Sequence, residues 1–449
     1  MENKERIPAV QELLNERKYT ALRQYLEELN ETDIAEILEE MDNEDMLRCF
    51  RILPKSLAAD VFSYLDTDNA QYIITSISDK DAGQILDNLM TDDAVDFLEE
   101  MPANVVRRVL ASASPETRQD INHLLQYPED SAGSIMTVEF IDLKANLTVA
   151  QAIERVRVLA VDSETINYCF VLDDRRKLIG IVALRQLLLQ KQDALIGDIM
   201  DEDVISVYTL ADQEEVADLF MRYDFSAMPV VDKDGRLVGV ITVDDIMDIV
   251  EEETTEDIEL MNAIVPGDKP YMKTGTFELW KSRIPWLMLL MISSTFTGKI
   301  IASFEDALSA CVVLTVFIPM LMGTGGNAGG QASATIIRGL SVNDIEFADL
   351  FRVIWKEVKV AFFCGMTLAV CNFAKLMLFD KTGLEVAAVV SLTMALVVVL
   401  AKVVGCMLPM LVKRIGLDPA VIASPFITTV VDALSLMIYF KIATTLLHI

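Results

Sequence analysis

Histidine is scarce in this 449-residue chain, with His123 and His448 its two copies. The six cysteines, at 49, 169, 311, 364, 371 and 406, form no Cys-x-x-Cys pair. Both absences argue against a zinc or iron–sulfur centre. A metal bound here is expected to be a hard cation on oxygen ligands. The opening segment MENKERIPAVQELL carries no apolar run, so no cleaved signal is expected and the chain should begin in the cytoplasm. Phosphate-loop, nucleophile–base and zinc motifs are missing too. No catalytic residue is therefore assigned, the chain is not read as an enzyme, and ATP-driven pumping is not expected. Basic residues are in short supply over the first 280 positions, with 25 Lys and Arg against 59 Asp and Glu, a net charge of −34. That sign argues against a nucleic-acid partner, because phosphates need the opposite one.

What is present divides the chain in two. From residue 281 onward there are 13 basic and 10 acidic residues, so the two parts suit different solvents. The length allows two to four domains. Residues 1–130 read as short helices built on a recurring phrase: Asp33-Ile-Ala-Glu-Ile-Leu-Glu-Glu-Met, Asp81-Ala-Gly-Gln-Ile-Leu-Asp-Asn-Leu and Asp93-Ala-Val-Asp-Phe-Leu-Glu-Glu-Met. Each opens with an acid suited to a cap or first turn and then spaces apolar residues at the helical period. Stacked repeats of this kind predict an acidic, α-solenoid-like domain.

Residues 131–250 change character. Strand-like runs at 166–172 and Ala227–Val231 alternate with amphipathic helices, and the segment repeats itself at a spacing of about 60 residues. Ser134-Ile-Met-Thr returns as Asp198-Ile-Met-Asp. Cys169-Phe-Val-Leu-Asp-Asp-Arg-Arg-Lys-Leu-Ile-Gly returns as Met228-Pro-Val-Val-Asp-Lys-Asp-Gly-Arg-Leu-Val-Gly. This resembles a tandem pair of CBS domains, at 131–197 and 198–250. The second half ends Gly239-Val-Ile-Thr242-Val-Asp-Asp245. The resemblance implies at most one adenosine nucleotide site there, on Thr242 and Asp245, for ATP or another adenosine nucleotide. Alternatively Thr242 serves as a turn and helix cap. Residues 251–265 are expected to form an acidic linker helix, with Thr254 and Asp257 as a capping pair and Pro266-Gly267 ending it. Linker and connector together occupy 251–280.

The last part, 281–449, carries five apolar stretches, at about 284–303, 307–338, 358–379, 386–411 and 419–446. Each reaches the roughly 20 residues that span hydrocarbon. Lys281 and Arg283 precede the first; Arg338, Arg352, Lys356 and Lys359 lie between the second and third; Lys413 and Arg414 lie between the fourth and fifth. The opposite loops carry little positive charge. The expected protein is a multi-pass cell-membrane protein with its N-terminus inside and its C-terminus outside. The fold class is a multidomain membrane protein: α-solenoid-like domain, α/β CBS pair, linker helix and an all-α domain of five helices.

Two spans carry residues unusual for lipid. The second contains Gly323-Thr-Gly325-Gly326-Asn327-Ala-Gly-Gly330-Gln331, five glycines in eight residues. Such a stretch is a poor helix core, and irregular backbone in a bilayer survives where protein or a water-filled path satisfies it. Its freed carbonyls, with Asn327 and Gln331, are oxygen ligands for a cation or its water shell. Close helix packing by small residues is the alternative. The fifth span places Asp432 near its middle, with Pro425 expected to free the carbonyl of Val421. A buried carboxylate needs compensation, by a passing cation; alternatively it is protonated, or paired with Lys402 of the fourth span. The expected path set is Gly325, Gly326, Asn327, Gln331, Pro425, Thr428 and Asp432.

Taken together, this order of parts resembles the MgtE family of magnesium transporters, the glycine-rich phrase and the Asp432 span carrying the likeness. The resemblance implies a homodimer in the lipid bilayer, with the second and fifth spans of both copies lining one path for hydrated Mg²⁺ beside Asp432. It further implies regulatory Mg²⁺ between the soluble domains that closes the path. Its ligands would come from Asp92, Asp93 and Asp96, from Asp244, Asp245 and Asp248, and from Glu251, Glu252, Glu256, Asp257 and Glu259. Mg²⁺ uptake is the expected function. Transport of another divalent ion such as Co²⁺ or Mn²⁺, and a non-conducting nucleotide sensor, are the alternatives.

Overall fold

The computed structural model describes residues 2–267, 271–421 and 424–448. The expected linker range and fifth span therefore each include positions, 268–270 and 422–423, outside the described residues. The chain separates into two compact units, Met1–Val250 and Glu251–Ile449.

In the first unit, short helices follow one another from Glu2 to Leu124. Side chains of Asn30, Asp42, Asp66, Ser78 and Ser114 accept backbone N–H bonds at their starts. Asp33, Asp81 and Asp93 lie one step inside, in first turns, where the positive end of the helix dipole favours them. One helix matters below: α1, Thr91–Glu99, which starts without a side-chain cap at Met90. The apolar faces form one core that runs from Val10 and Ile34 through Val95 into Val230 and Ile246 of the following domain.

That domain holds two three-stranded sheets of identical topology. Strands β1 (Asp142–Leu143), β2 (Tyr168–Leu172) and β3 (Leu178–Ala183) form the first, in that order. Strands β4 (Val207–Tyr208), β5 (Ala227–Val231) and β6 (Leu237–Thr242) form the second. Each hairpin turns on an aspartate that accepts two backbone N–H groups: Asp173 from Arg175 and Lys177, Asp232 from Asp234 and Arg236. The repeats also exchange their leading segments. Met136 lies against Gly239 of β6, and Met200 against Gly180 of β3. Thr137 pairs with Val240, and Asp201 with Ile181. The repeat boundary in the sequence is therefore not a boundary between sheets.

Helix α2, Val243–Met261, runs unbroken through the position where a separate linker helix was expected to start. No breaker lies in it, and Thr254 and Asp257, the expected capping pair, both lie inside the continuous helix. Ala263, at φ 56°, ends the run before Pro266.

The second unit contains five helices long and apolar enough to cross a membrane: α3 (Thr276–Ser303), α4 (Ile318–Ser341), α5 (Leu350–Leu378), α6 (Leu384–Arg414) and α7 (Ser424–Leu447). Helix α4 packs on α6 and α7, α5 on α6, and α3 on α7. A 3₁₀ turn, Val312–Phe317, leads into α4, and the buried Tyr439 hydroxyl of α7 donates to the Leu314 carbonyl at 2.9 Å. Two expectations are corrected here. The glycine-rich stretch is continuous α-helix, so its carbonyls stay in the helical ladder. Tertiary contact overrides the poor propensity of glycine, because these glycines let α4 approach its neighbours closely. Pro425 sits in the first turn of α7, where the N–H it lacks would be unbonded anyway, so it frees no carbonyl within the helix.

A candidate cation path and a buried acid cluster

The continuous α4 gives its glycines two jobs. A Cβ on Gly325 would stand 2.8 Å from Val397 of α6 and 3.0 Å from Val431 of α7. One on Gly405 of α6 would stand 2.3 Å from the Gly329 carbonyl oxygen. Gly325 and Gly329 therefore pack, while their neighbours line a cavity of about 310 Å³. Its walls are Met322, Gly323, Gly326, Asn327, Gly330 and Gln331 of α4 with Thr428 and Asp432 of α7. The helical period explains the division: 323, 326, 327, 330 and 331 share a face, and 325 and 329 lie on another.

The structure thus brings together Gly326, Asn327, Gln331, Thr428 and Asp432 of the expected set. It turns Gly325 toward Val397 and leaves Pro425 out of the cavity wall. Met322, Gly323 and Gly330 were not singled out, although the period through Gly326 would have found them.

Asp432 carries the polarity of this cavity. Its Oδ1 is buried and, among the described residues, meets no hydrogen-bond donor. The alternative partner, Lys402, faces elsewhere: its Nζ lies 3.5 Å from Glu357 Oε2 of α5, with both side chains largely buried. A carboxylate left without a donor in a low-dielectric setting is expensive for the fold alone, and a cation beside it offsets that cost.

The second cluster lies in the first unit. Asp92 and Asp93 in the first turn of α1 face Asp244 and Asp245 in the first turn of α2, and Glu164 joins them. Asp92 is buried. Met90 has no side-chain acceptor to cap α1; Glu139 instead accepts the Thr91 N–H at 3.4 Å and the Thr91 hydroxyl, and also takes the Thr137 hydroxyl and the Val138 N–H. Burial, then the nearby Asp245, holds Asp92 well above the ordinary carboxylate range. Burial, then Asp245 and Asp244, pushes Asp93 up to about 7. Burial, then Asp244 and Asp245, pushes Glu164 up to about 7. Burial raises Asp245 to about 6 despite the bond it accepts from the Thr242 hydroxyl at 2.7 Å. That bond shows the Thr242–Asp245 pair acting locally at the start of α2. Glu139 and Glu164 were missed by sequence reading, since nothing near either suggests a site.

Among the described residues, no three of His, Cys, Asp and Glu form a ready-made metal chelate. The cluster is one of facing carboxylates, which suits a hard cation that keeps water in its shell. Its energetics give a prediction. These acids are protonated more readily folded than unfolded, so their contribution is fully present below about pH 4 and lost as pH rises through about 6 to 7. With divalent ions chelated, the thermal midpoint of the full-length protein in detergent should fall by about 5–10 °C between about pH 5.5 and pH 8. Millimolar Mg²⁺ at pH 8 should restore most of it. A midpoint indifferent to pH in chelator would contradict the assignment.

The remaining acids separate. Asp96 and Asp248 flank the cluster in sequence, and Asp248 adds repulsion at Asp245. Glu252, Glu256, Asp257 and Glu259 belong to the second unit. There Asp257 accepts from the Ser341 hydroxyl at the end of α4, at 3.2 Å, and Glu259 from the Gly267 N–H at 3.3 Å. Burial and then Asp418 raise Asp257 above its usual range, with Ser341, Arg338 and Lys413 pulling the other way.

Residues 318–442 match a family described as MgtE, divalent cation transporter. Residues 29–130 match the MgtE intracellular N domain and residues 196–252 the CBS domain. The magnesium transporter MgtE of Thermus thermophilus is 37% identical over 401 residues, 88% of each chain. That of Bacillus subtilis is 33% identical over 411 residues, 89% of this chain and 90% of the other. Among solved structures, the soluble part of a magnesium transporter is similar at TM-score 0.54 and 33% identity, covering 56% of this chain and 99% of that one. The cytosolic domain of the Mg²⁺ channel MgtE in complex with ATP gives TM-score 0.52 and 36% identity, covering 54% and 99%.

Proposed function

The chain belongs to the MgtE family of magnesium transporters, and from that premise we propose that it moves Mg²⁺ along the α4–α7 cavity with the ion's water shell largely intact. Transport of Mg²⁺ is what the full-length likeness to two magnesium transporters supports. The single observation that carries the path is Asp432, which lines this cavity and whose buried Oδ1 meets no donor among the described residues. Mg²⁺ binds six ligands and gives up water reluctantly. Six waters at roughly 30 Å³ each need about 180 Å³, within the 310 Å³ available. Asn327, Gln331 and Thr428 supply oxygen atoms to those waters, and Asp432 supplies the charge. Two copies of the chain pair so that α4 and α7 of each face one path, with N-termini in the cytoplasm.

Cytosolic Mg²⁺ closes this path through the acid cluster. Two carboxylates about 4 Å apart repel by about 4 kcal/mol at an effective dielectric of roughly 20. Asp92, Asp93, Asp244, Asp245 and Glu164 would hold the ion that turns this repulsion into attraction. Helix α2 bears Asp244 and Asp245 in its first turn and Asp257, bonded to Ser341, near its end. Asp245 is also the acid that the CBS phrase offers to a ribose. Adenosine nucleotide binding is thus proposed to be coupled to the cluster, a reading favoured by the ATP complex of the related cytosolic domain.

Two measurements test this. In proteoliposomes the purified protein should carry Mg²⁺, and Ca²⁺, Mn²⁺ and Co²⁺ run beside it decide the substrate. No divalent flux at all would leave the non-conducting sensor. Limited proteolysis should find α2 protected by millimolar Mg²⁺ and cut in chelator; equal cutting in both would remove the gating claim.

A further inference from the structure

The pair of Lys402 on α6 and Glu357 on α5 has no part in the path described above. The side chains are 8% and 14% exposed, and the charged atoms stand 3.5 Å apart. Among the described residues, Glu357 Oε2 meets no hydrogen-bond donor, so the pair is held by charge and not by a directed bond. Such a pair is a poor stabiliser, because burying two charges costs about as much as their attraction returns. The α5–α6 contact does not need it: Gly365 already lies against the Ala395 backbone, and Val353 packs with Cys406 and Met410.

Its position points to another use. Ala401, adjacent to Lys402, turns its carbonyl to Gly329, and Gly329 lies between the cavity-lining Gly326 and Gly330. Ala328, Ala361, Val398, Ala401, Ile427 and Val431 form one apolar cluster joining α4, α5, α6 and α7. The wall behind the path is therefore dry and excludes screening salt. An uncompensated ammonium on α6, one helix spacing or about 10 Å from the path, would repel a divalent cation and offset the pull of Asp432.

We propose that Glu357 is an affinity-setting residue that cancels the Lys402 charge, so that the field in the path is set by Asp432. Glu357 touches neither ion nor cavity; it acts through Lys402. This rests on the cavity being the Mg²⁺ path, and the test separates the two. Mg²⁺ flux into proteoliposomes is measured against concentration for wild type, Glu357→Gln, Lys402→Met and the double variant. Glu357→Gln should raise the half-saturating Mg²⁺ concentration by about tenfold or more. Lys402→Met should leave it at or below the wild-type value, and the double variant should return it to within about threefold. A structural role would move both single variants in one direction. That result, or a double variant no closer to wild type than Glu357→Gln, overturns the proposal. If Glu357→Gln does not insert, the other two variants must meet their stated values or the proposal fails. Wild-type protein without flux would instead remove the path itself.

Discussion

Asp432→Ala is expected to abolish Mg²⁺ uptake in cells lacking their own transporters, a loss of at least about 100-fold. The effect is electrostatic. A divalent ion about 6 Å from a carboxylate, at an effective dielectric of roughly 20, gains about 5 kcal/mol. The remaining wall groups, Asn327, Gln331 and Thr428, are neutral dipoles and cannot replace that charge. Asp432→Asn keeps the shape and loses the charge, so it should fail nearly as badly. Asp432→Glu keeps the charge on a longer arm and should retain part of the flux. The measurement is initial uptake rate at matched protein level. Unimpaired uptake by Asp432→Ala would remove the path assignment. Lys402 cannot rescue the argument as a hidden partner, since it pairs with Glu357.

Gly405→Ala should disable transport from outside the cavity. The added methyl would stand 2.3 Å from the Gly329 carbonyl oxygen and 3.0 Å from its carbonyl carbon. Both are backbone atoms, which cannot rotate aside, so α4 and α6 must separate. Overpacking of this kind costs about 1–3 kcal/mol, sometimes more, and the displacement moves the helix that carries the cavity wall. We expect a lower thermal midpoint and uptake reduced by about tenfold or more. Gly323→Ala is the control: nothing lies within 4 Å of its Cβ, so its midpoint should stay at the wild-type value. Equal midpoints for the two variants would contradict the packing account.

The glycines of α4 show where sequence reading stops. Five glycines in eight residues signal that something unusual happens in the second span. They do not say whether the helix breaks or tightens. Breaking was the expectation, and close contact with Val397, Val431 and Gly405 keeps the helix whole. Asp432 was legible because an acid in the middle of an apolar span is conspicuous on its own. Glu357 was not, because it lies among Lys356 and Lys359 and reads as part of a charged loop. Glu139 and Glu164 were equally silent, being ordinary surface acids until the fold sets them against α1 and α2.

The amino-acid sequence by itself determined the solvent of each part, the five apolar helices, the repeated α/β halves and the acid in the fifth span. Each of these is written in composition or period, which act over neighbouring residues. The tertiary structure alone decided which glycines pack and which line the cavity, that Lys402 answers Glu357 and leaves Asp432 Oδ1 without a donor among the described residues, and that Glu164 stands with Asp92 and Asp245. Those are contacts between distant positions, chosen by which faces the packing brings together, and no local pattern records them.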